Sequence, residues 1–144
     1  MAKTKFKFQF SAAYGVFAAA LLLRLWVLSN FTASPLLLPT NGDMHFYDDW
    51  ARRILAGHEN GHFAFYGLPG YAYLLALLYW LFGFSPFLPA LLQSILDAGT
   101  AVLIYQITAR LLQTADPRLR KAASILAAAG WAFFVPAETF AVIL

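Results

Sequence analysis

Gly42-Asp43-Met44-His45-Phe46-Tyr47-Asp48-Asp49-Trp50-Ala51-Arg52-Arg53-Ile54-Leu55-Ala56-Gly57 is the most polar stretch of an otherwise apolar chain, with hydrophobic segments on both sides. From Met44 to Ala56 no residue breaks a helix, and Gly42 and Gly57 punctuate its ends. On that helix Tyr47, Ala51, Ile54 and Leu55 share one face by three- and four-residue spacing, with Trp50 beside them. Asp48, Asp49, Arg52 and Arg53 lie largely opposite and read as i,i+4 surface pairs pointing to water. A helix divided in this way lies along a bilayer better than it crosses one. Asp43 stands at its N-cap edge, where a carboxylate meets free backbone N–H groups and the positive end of the helix dipole.

The surrounding chain explains why a membrane is expected. Of 144 residues, 61% are hydrophobic and only 12% charged, and the mean hydropathy is +0.64. Those values exclude an ordinary soluble domain and point to an integral membrane protein. The net charge of +3 is small, and the basic residues cluster at chain ends and loops, a topology signal and not a nucleic-acid footprint. The chain has no cysteine, which removes thiol catalysis, disulfides and thiolate metal sites.

Lys3, Lys5 and Lys7 precede an apolar run over about 11–28, long enough to span and too long for a signal-peptide core. Its lysines place the N-terminus in the cytoplasm. Arg24 interrupts the run about a turn before its outer end, positioned to snorkel to the interface or to hold a lipid phosphate. Residues 29–84 form the first outer loop, and within it 68–84 is apolar but marginal in length. Runs over 87–112 and 122–144 should both span, separated by a second basic cluster of Arg110, Arg118, Arg120 and Lys121, with Asp116-Pro117 making the turn. If both basic clusters face the cytoplasm, an even number of crossings separates them. Segments 11–28 and 87–112 already supply two, so 68–84 lies in the outer leaflet. The expected fold is all-α: polytopic transmembrane helices with amphipathic juxtamembrane helices in the first outer loop. Residues 1–144 then make one transmembrane domain, the N-terminal part of a longer chain, since Ile143-Leu144 lies inside an apolar run.

Two other features invite chemistry. His58-Glu59-Asn60-Gly61-His62 matches the H-E-x-x-H pattern of zinc proteases, but that pattern needs a helix and Asn60-Gly61 is a turn dipeptide. A solvated polar loop is the simpler reading. Asp97 lies deep in the 87–112 run, where an acid is a functional candidate or is neutralised by protonation, by Gln93 or Thr100, or by Arg24. Glu138, after Pro136, is placed to line a cavity at the outer half of the last run.

Gly42-Asp43, Tyr47, Ala51 and Gly57, followed by Pro69-Gly70-Tyr71 and Leu81-Phe82-Gly83, occur in an order that resembles the N-terminal part of membrane glycosyltransferases of the C superfamily. The nearest likeness is to the bacterial branch related to protein O-mannosyltransferases and to lipid A aminoarabinose transferases. The resemblance runs from Gly42 to Pro136. It implies a sugar donor on a polyprenyl phosphate, a lipid, glycan or protein acceptor arriving from the outer face, and a bacterial plasma-membrane location. It makes Asp43 the catalytic acid of the first outer loop, and Tyr47 and Tyr71 part of the substrate site with Glu138. Relatives carry a basic residue just before the proline-tyrosine entry, where Gly67-Leu68 stand here. A phosphate contact therefore falls to Arg52, Arg53 or His62. The resemblance requires no fixed cofactor and is compatible with a divalent metal. Membrane lipids are partners and nucleic acid is not. The alternatives are a non-catalytic scaffold or transporter fragment working through Arg24 and Asp97, and the zinc protease.

The charge pattern makes a direct forecast. Because the chain lacks cysteine, single cysteines introduced at Thr40 and Gln113 report sidedness in intact cells. An impermeant thiol reagent should label the Thr40 site and spare the Gln113 site. The reverse pattern would refute the topology.

Overall fold

The computed structural model describes residues 10–32, 34–40, 42–58 and 68–137, and every regular element among them is helical. Helix α1 is Phe10–Phe31, α2 Gly42–Leu55, α3 Pro69–Phe82, α4 Phe87–Leu111 and α5 Pro117–Ala132, with a single 3₁₀ turn at Pro35–Leu37 before α2. Helices α1 and α4 are long and apolar enough to cross a membrane. Helix α3 has 14 residues, about 21 Å of rise, short of a hydrocarbon core of about 30 Å.

Helices α1, α4 and α5 form a three-helix bundle. Ala20 of α1 meets Ala98 and Ala101 of α4 and Ala132 of α5, and these small side chains let three backbones approach closely. Toward the far end of α1, Leu28 packs with Leu37 and Ala90. Rising numbers on α1 thus meet falling numbers on α4, so the two run antiparallel. Helix α5 turns back again, with Asp116 accepting from the backbone N–H groups of Arg118 and Leu119 and Pro117 at the first helical position. The start of α1 and the turn before α5 accordingly share one end of the bundle. The two ends joined through α2 and α3 share the other, which is the geometry the charge parity requires.

An ionic knot fastens the bundle. Arg24 is fully buried and does not snorkel. Its Nε donates to Asp97 Oδ2 at 2.6 Å, and its Nη1 donates to the Ala132 carbonyl at 2.7 Å. Trp131 Nε1 donates to the other Asp97 oxygen at 3.1 Å. Arg24 reaches inward because the Asp97 carboxylate and the Ala132 carbonyl satisfy its guanidinium there. Of the partners open to Asp97 from sequence, Arg24 is the one used, while Gln93 bonds Tyr71 and Thr100 bonds the Leu96 carbonyl.

Pro136 accounts for the end of α5. An uninterrupted helix would give the Ala132 carbonyl the N–H of residue 136, but proline has none and its ring crowds that carbonyl. The regular helix stops at Ala132, and the carbonyl it leaves is the one Arg24 takes. Of the span expected over 122–144, residues 122–137 are described. Helix α5 has 16 residues, begins at Pro117 and draws Arg118, Arg120 and Lys121 out of the loop into its first turns, and helical backbone resumes over 135–137. Residues 138–144 lie outside the described residues.

Candidate polar site on the surface helix pair

Helix α2 packs on α3 through Ala51, Leu75, Ala76 and Tyr79, flanked by Tyr47, Ile54 and Tyr71. Gly42, at φ +63°, opens α2 in a conformation that suits glycine. The far end closes with a Schellman pattern: His58 N–H donates to the Arg53 carbonyl and Gly57 N–H to that of Ile54, with Gly57 at φ +76°. His58 thus stands beyond the end of α2. Glu59 and His62 lie outside the described residues, and among those described no three His, Asp or Glu residues gather to hold a metal.

Asp48 overturns the surface-pair expectation. It is 5% exposed, because it precedes Ala51 by three residues and so borders the buried face. Arg52 Nε donates to Asp48 Oδ2 at 2.8 Å, and Tyr79 OH donates to Oδ1 at 2.9 Å. The Arg52 guanidinium sits 3.8 Å above the centre of the Phe84 ring, a cation–π contact, and Tyr79 meets Phe84 edge-on. Asp49 and Arg53 behave as expected, pairing at 2.7 Å with both side chains well exposed. The i,i+4 spacing revealed both pairs but not which of them α3 would cover. The signal was Tyr79, four residues after Leu75 on the α2-facing side of an apolar helix.

A cavity of about 500 Å³ lies beside this cluster, lined by Thr40, His45, Asp48, Asp49, Arg52 and Phe84 among others. Asp43 is not part of its wall. It is exposed and sits within the first turn of α2, not at its N-cap. At 100° per residue it falls nearly opposite His45 and Arg52, on the Tyr47 side. The structure therefore gathers Arg52 with His45 and Asp48, and keeps Asp43 with Tyr47 on another face.

Tyr47 and Tyr71 act as ties. Their rings meet edge-on at 5.2 Å. Tyr47 OH accepts from the Leu68 N–H, and Gln93 Nε2 donates to Tyr71 OH at 2.5 Å, which moors α3 to α4. Burial pushes the Tyr71 hydroxyl up to about 12, against a smaller opposing pull from the Gln93 hydrogen bond. Burial, and then the hydrogen bond given to Asp48, raise Tyr79 as well. Glu138 lies outside the described residues.

No family model, curated protein or solved structure matches this chain.

Tyr79→Phe would leave a buried Asp48 oxygen without its donor, at a cost of about 1–3 kcal/mol. Hydrogen exchange of the α2 amides should speed up while that of α4 is unchanged. The tyrosines also set an alkaline limit. The unfolded chain releases their protons near 10.0, whereas folded Tyr71 holds its proton to about 12. Their contribution to stability is full below the lower value and is lost as pH rises through the higher one. Denaturation titrations of the wild-type chain should show no loss from these groups at neutrality and a decline above about pH 10 that Tyr71→Phe reduces.

Proposed function

We propose that this chain is the membrane-embedded N-terminal part of a glycosyltransferase that moves a sugar from a polyprenyl-phosphate donor to an acceptor at the membrane surface. The observation that carries it is the α2–α3 pair: a polar, acid- and arginine-bearing helix docked on an apolar helix too short to span, moored to α4 through Gln93. Such a pair fits the water–lipid boundary, where a lipid-linked sugar and a polar acceptor meet. Exposure supports the membrane itself. Within the most apolar windows of α1 and α4 only 22% and 28% of residues are buried in the chain. Leu22, Leu96, Leu103 and Leu126 stand more than half exposed, and an apolar surface of that kind calls for lipid or a partner. Helix α3 likewise turns Leu77, Trp80 and Phe82 outward.

Asp43 is the general base of this proposal. The acceptor hydroxyl attacks the anomeric carbon, its proton passes to the carboxylate, and the bond from that carbon to the phosphate oxygen breaks, releasing the lipid phosphate. Asp43 suits the role because it is exposed at the positive end of α2, and none of the described hydrogen bonds engages its side chain. Asp48 and Asp49 are held by Arg52 and Arg53. Arg52, fixed by Asp48 and Phe84, lies on the opposite face of α2 and about two and a half turns from Asp43, so it is not the group that meets the departing phosphate at the same anomeric carbon. The transporter reading needs Asp97 on an ion path, but both of its oxygens already accept hydrogen bonds from Arg24 and Trp131.

In the full-length protein, Asp43→Asn should lower turnover of a polyprenyl-phosphate sugar at least about a hundredfold while donor binding persists. Asp49→Asn should cost far less. Activity surviving Asp43→Asn but lost in Asp49→Asn would move the base to the other face of α2.

A further inference from the structure

Helices α1 and α5 run parallel and are fastened together where Arg24 reaches the Ala132 carbonyl. Below that point a crevice of about 700 Å³ opens between them, walled by Ala12, Gly15 and Ala19 on one side and Ile125 and Ala128 on the other, with Lys121 at its rim. Among the described residues no polar side chain other than Lys121 lines it. A crevice with this lining takes a hydrocarbon.

Its depth narrows the choice of occupant. From Ala12 to Leu23, the limits of its α1 wall, the helix rises about 16 Å, roughly half of a hydrocarbon core of about 30 Å. The Arg24 knot closes the upper end. A spanning helix needs the full thickness, whereas a single lipid tail needs one leaflet.

The charge at the rim narrows it again. Arg118, Arg120 and Lys121 fall in the first turns of α5, the positive end of the helix dipole, where cations are disfavoured. The carboxylate at that end, Asp116, is spent on the N–H groups of Arg118 and Leu119. An anionic head group at this rim would compensate the excess positive charge.

We propose that the crevice binds one acyl chain of an anionic phospholipid from the leaflet nearest the α1 N-terminus, with the lipid phosphate at Lys121. This rests on the membrane reading above, and the test separates the two. The full-length protein is first extracted from membranes with alkaline carbonate. It is then delipidated in detergent and titrated with phosphatidylglycerol or phosphatidylcholine, with retained lipid counted by native mass spectrometry. A Cβ at Gly15 meets nothing within 4 Å, and Ala19 is exposed within the chain, so Gly15→Leu and Ala19→Leu fill the crevice without disturbing packing.

The chain should resist carbonate and retain one phosphatidylglycerol in preference to phosphatidylcholine. Each filling variant should abolish that retention, and Leu126→Trp on the outward side of α5 should not. Lys121→Gln should reduce the preference for phosphatidylglycerol about fivefold. Retention unchanged in both filling variants, or lowered equally by Leu126→Trp, would overturn the lipid site. A dimer that the filling variants dissociate would overturn it in favour of a second copy of the chain. Release by carbonate would overturn the membrane reading and the lipid site with it.

Discussion

The Arg24–Asp97 ion pair is the constraint on which the rest of the structure depends. A guanidinium with no exposure is costly unless charge and hydrogen bonds satisfy it, and here two helices share that task for α1. Helix α4 gives the carboxylate, and α5 gives the Ala132 carbonyl and the Trp131 indole that completes the acid's second oxygen. A buried pair of this kind contributes little net attraction beyond its desolvation cost, but removing one partner is severely destabilising. Its consequence is specificity: α1, α4 and α5 have one mutual register in which both charges are met.

That register has consequences at both ends of the bundle. At one end it fixes the start of α4, where Gln93 holds Tyr71 and through it the α2–α3 pair. There the Tyr79–Asp48–Arg52 chain sets the cavity-facing arginine, while Asp43 remains exposed on the other side of α2. At the other end the knot is the point from which α1 and α5 diverge, leaving the crevice rimmed by Lys121. The polar pair and the apolar crevice thus hang on a common clamp, with donor chemistry proposed at one surface and a lipid tail at the other.

The helices and their polarity were legible because periodicity and charge placement are local properties. Gly57 stopped α2 where expected, and the parity of basic clusters anticipated that α1 and α5 begin at the same end. What was not legible depended on partners distant in sequence. Arg24 and Asp97 are 73 residues apart, so nothing local distinguished a snorkelling arginine from a buried one. Asp48 and Asp49 differ by a single step around α2, and only the approach of α3 decided which was buried. Pro136 signalled a helix break, but its effect falls four residues earlier, on the carbonyl that receives Arg24.

The most direct test of this account is a double-mutant cycle on the clamp, using urea unfolding of the chain in detergent followed by tryptophan fluorescence. Arg24→Met and Asp97→Leu should each cost about 3–5 kcal/mol. The double variant should cost clearly less than their sum, with a coupling of at least about 1 kcal/mol. The exposed Arg53–Asp49 pair, treated in the same way, should couple by less than about 1 kcal/mol. Additive losses at Arg24 and Asp97, or single variants as stable as the wild type, would contradict the clamp as the organising interaction.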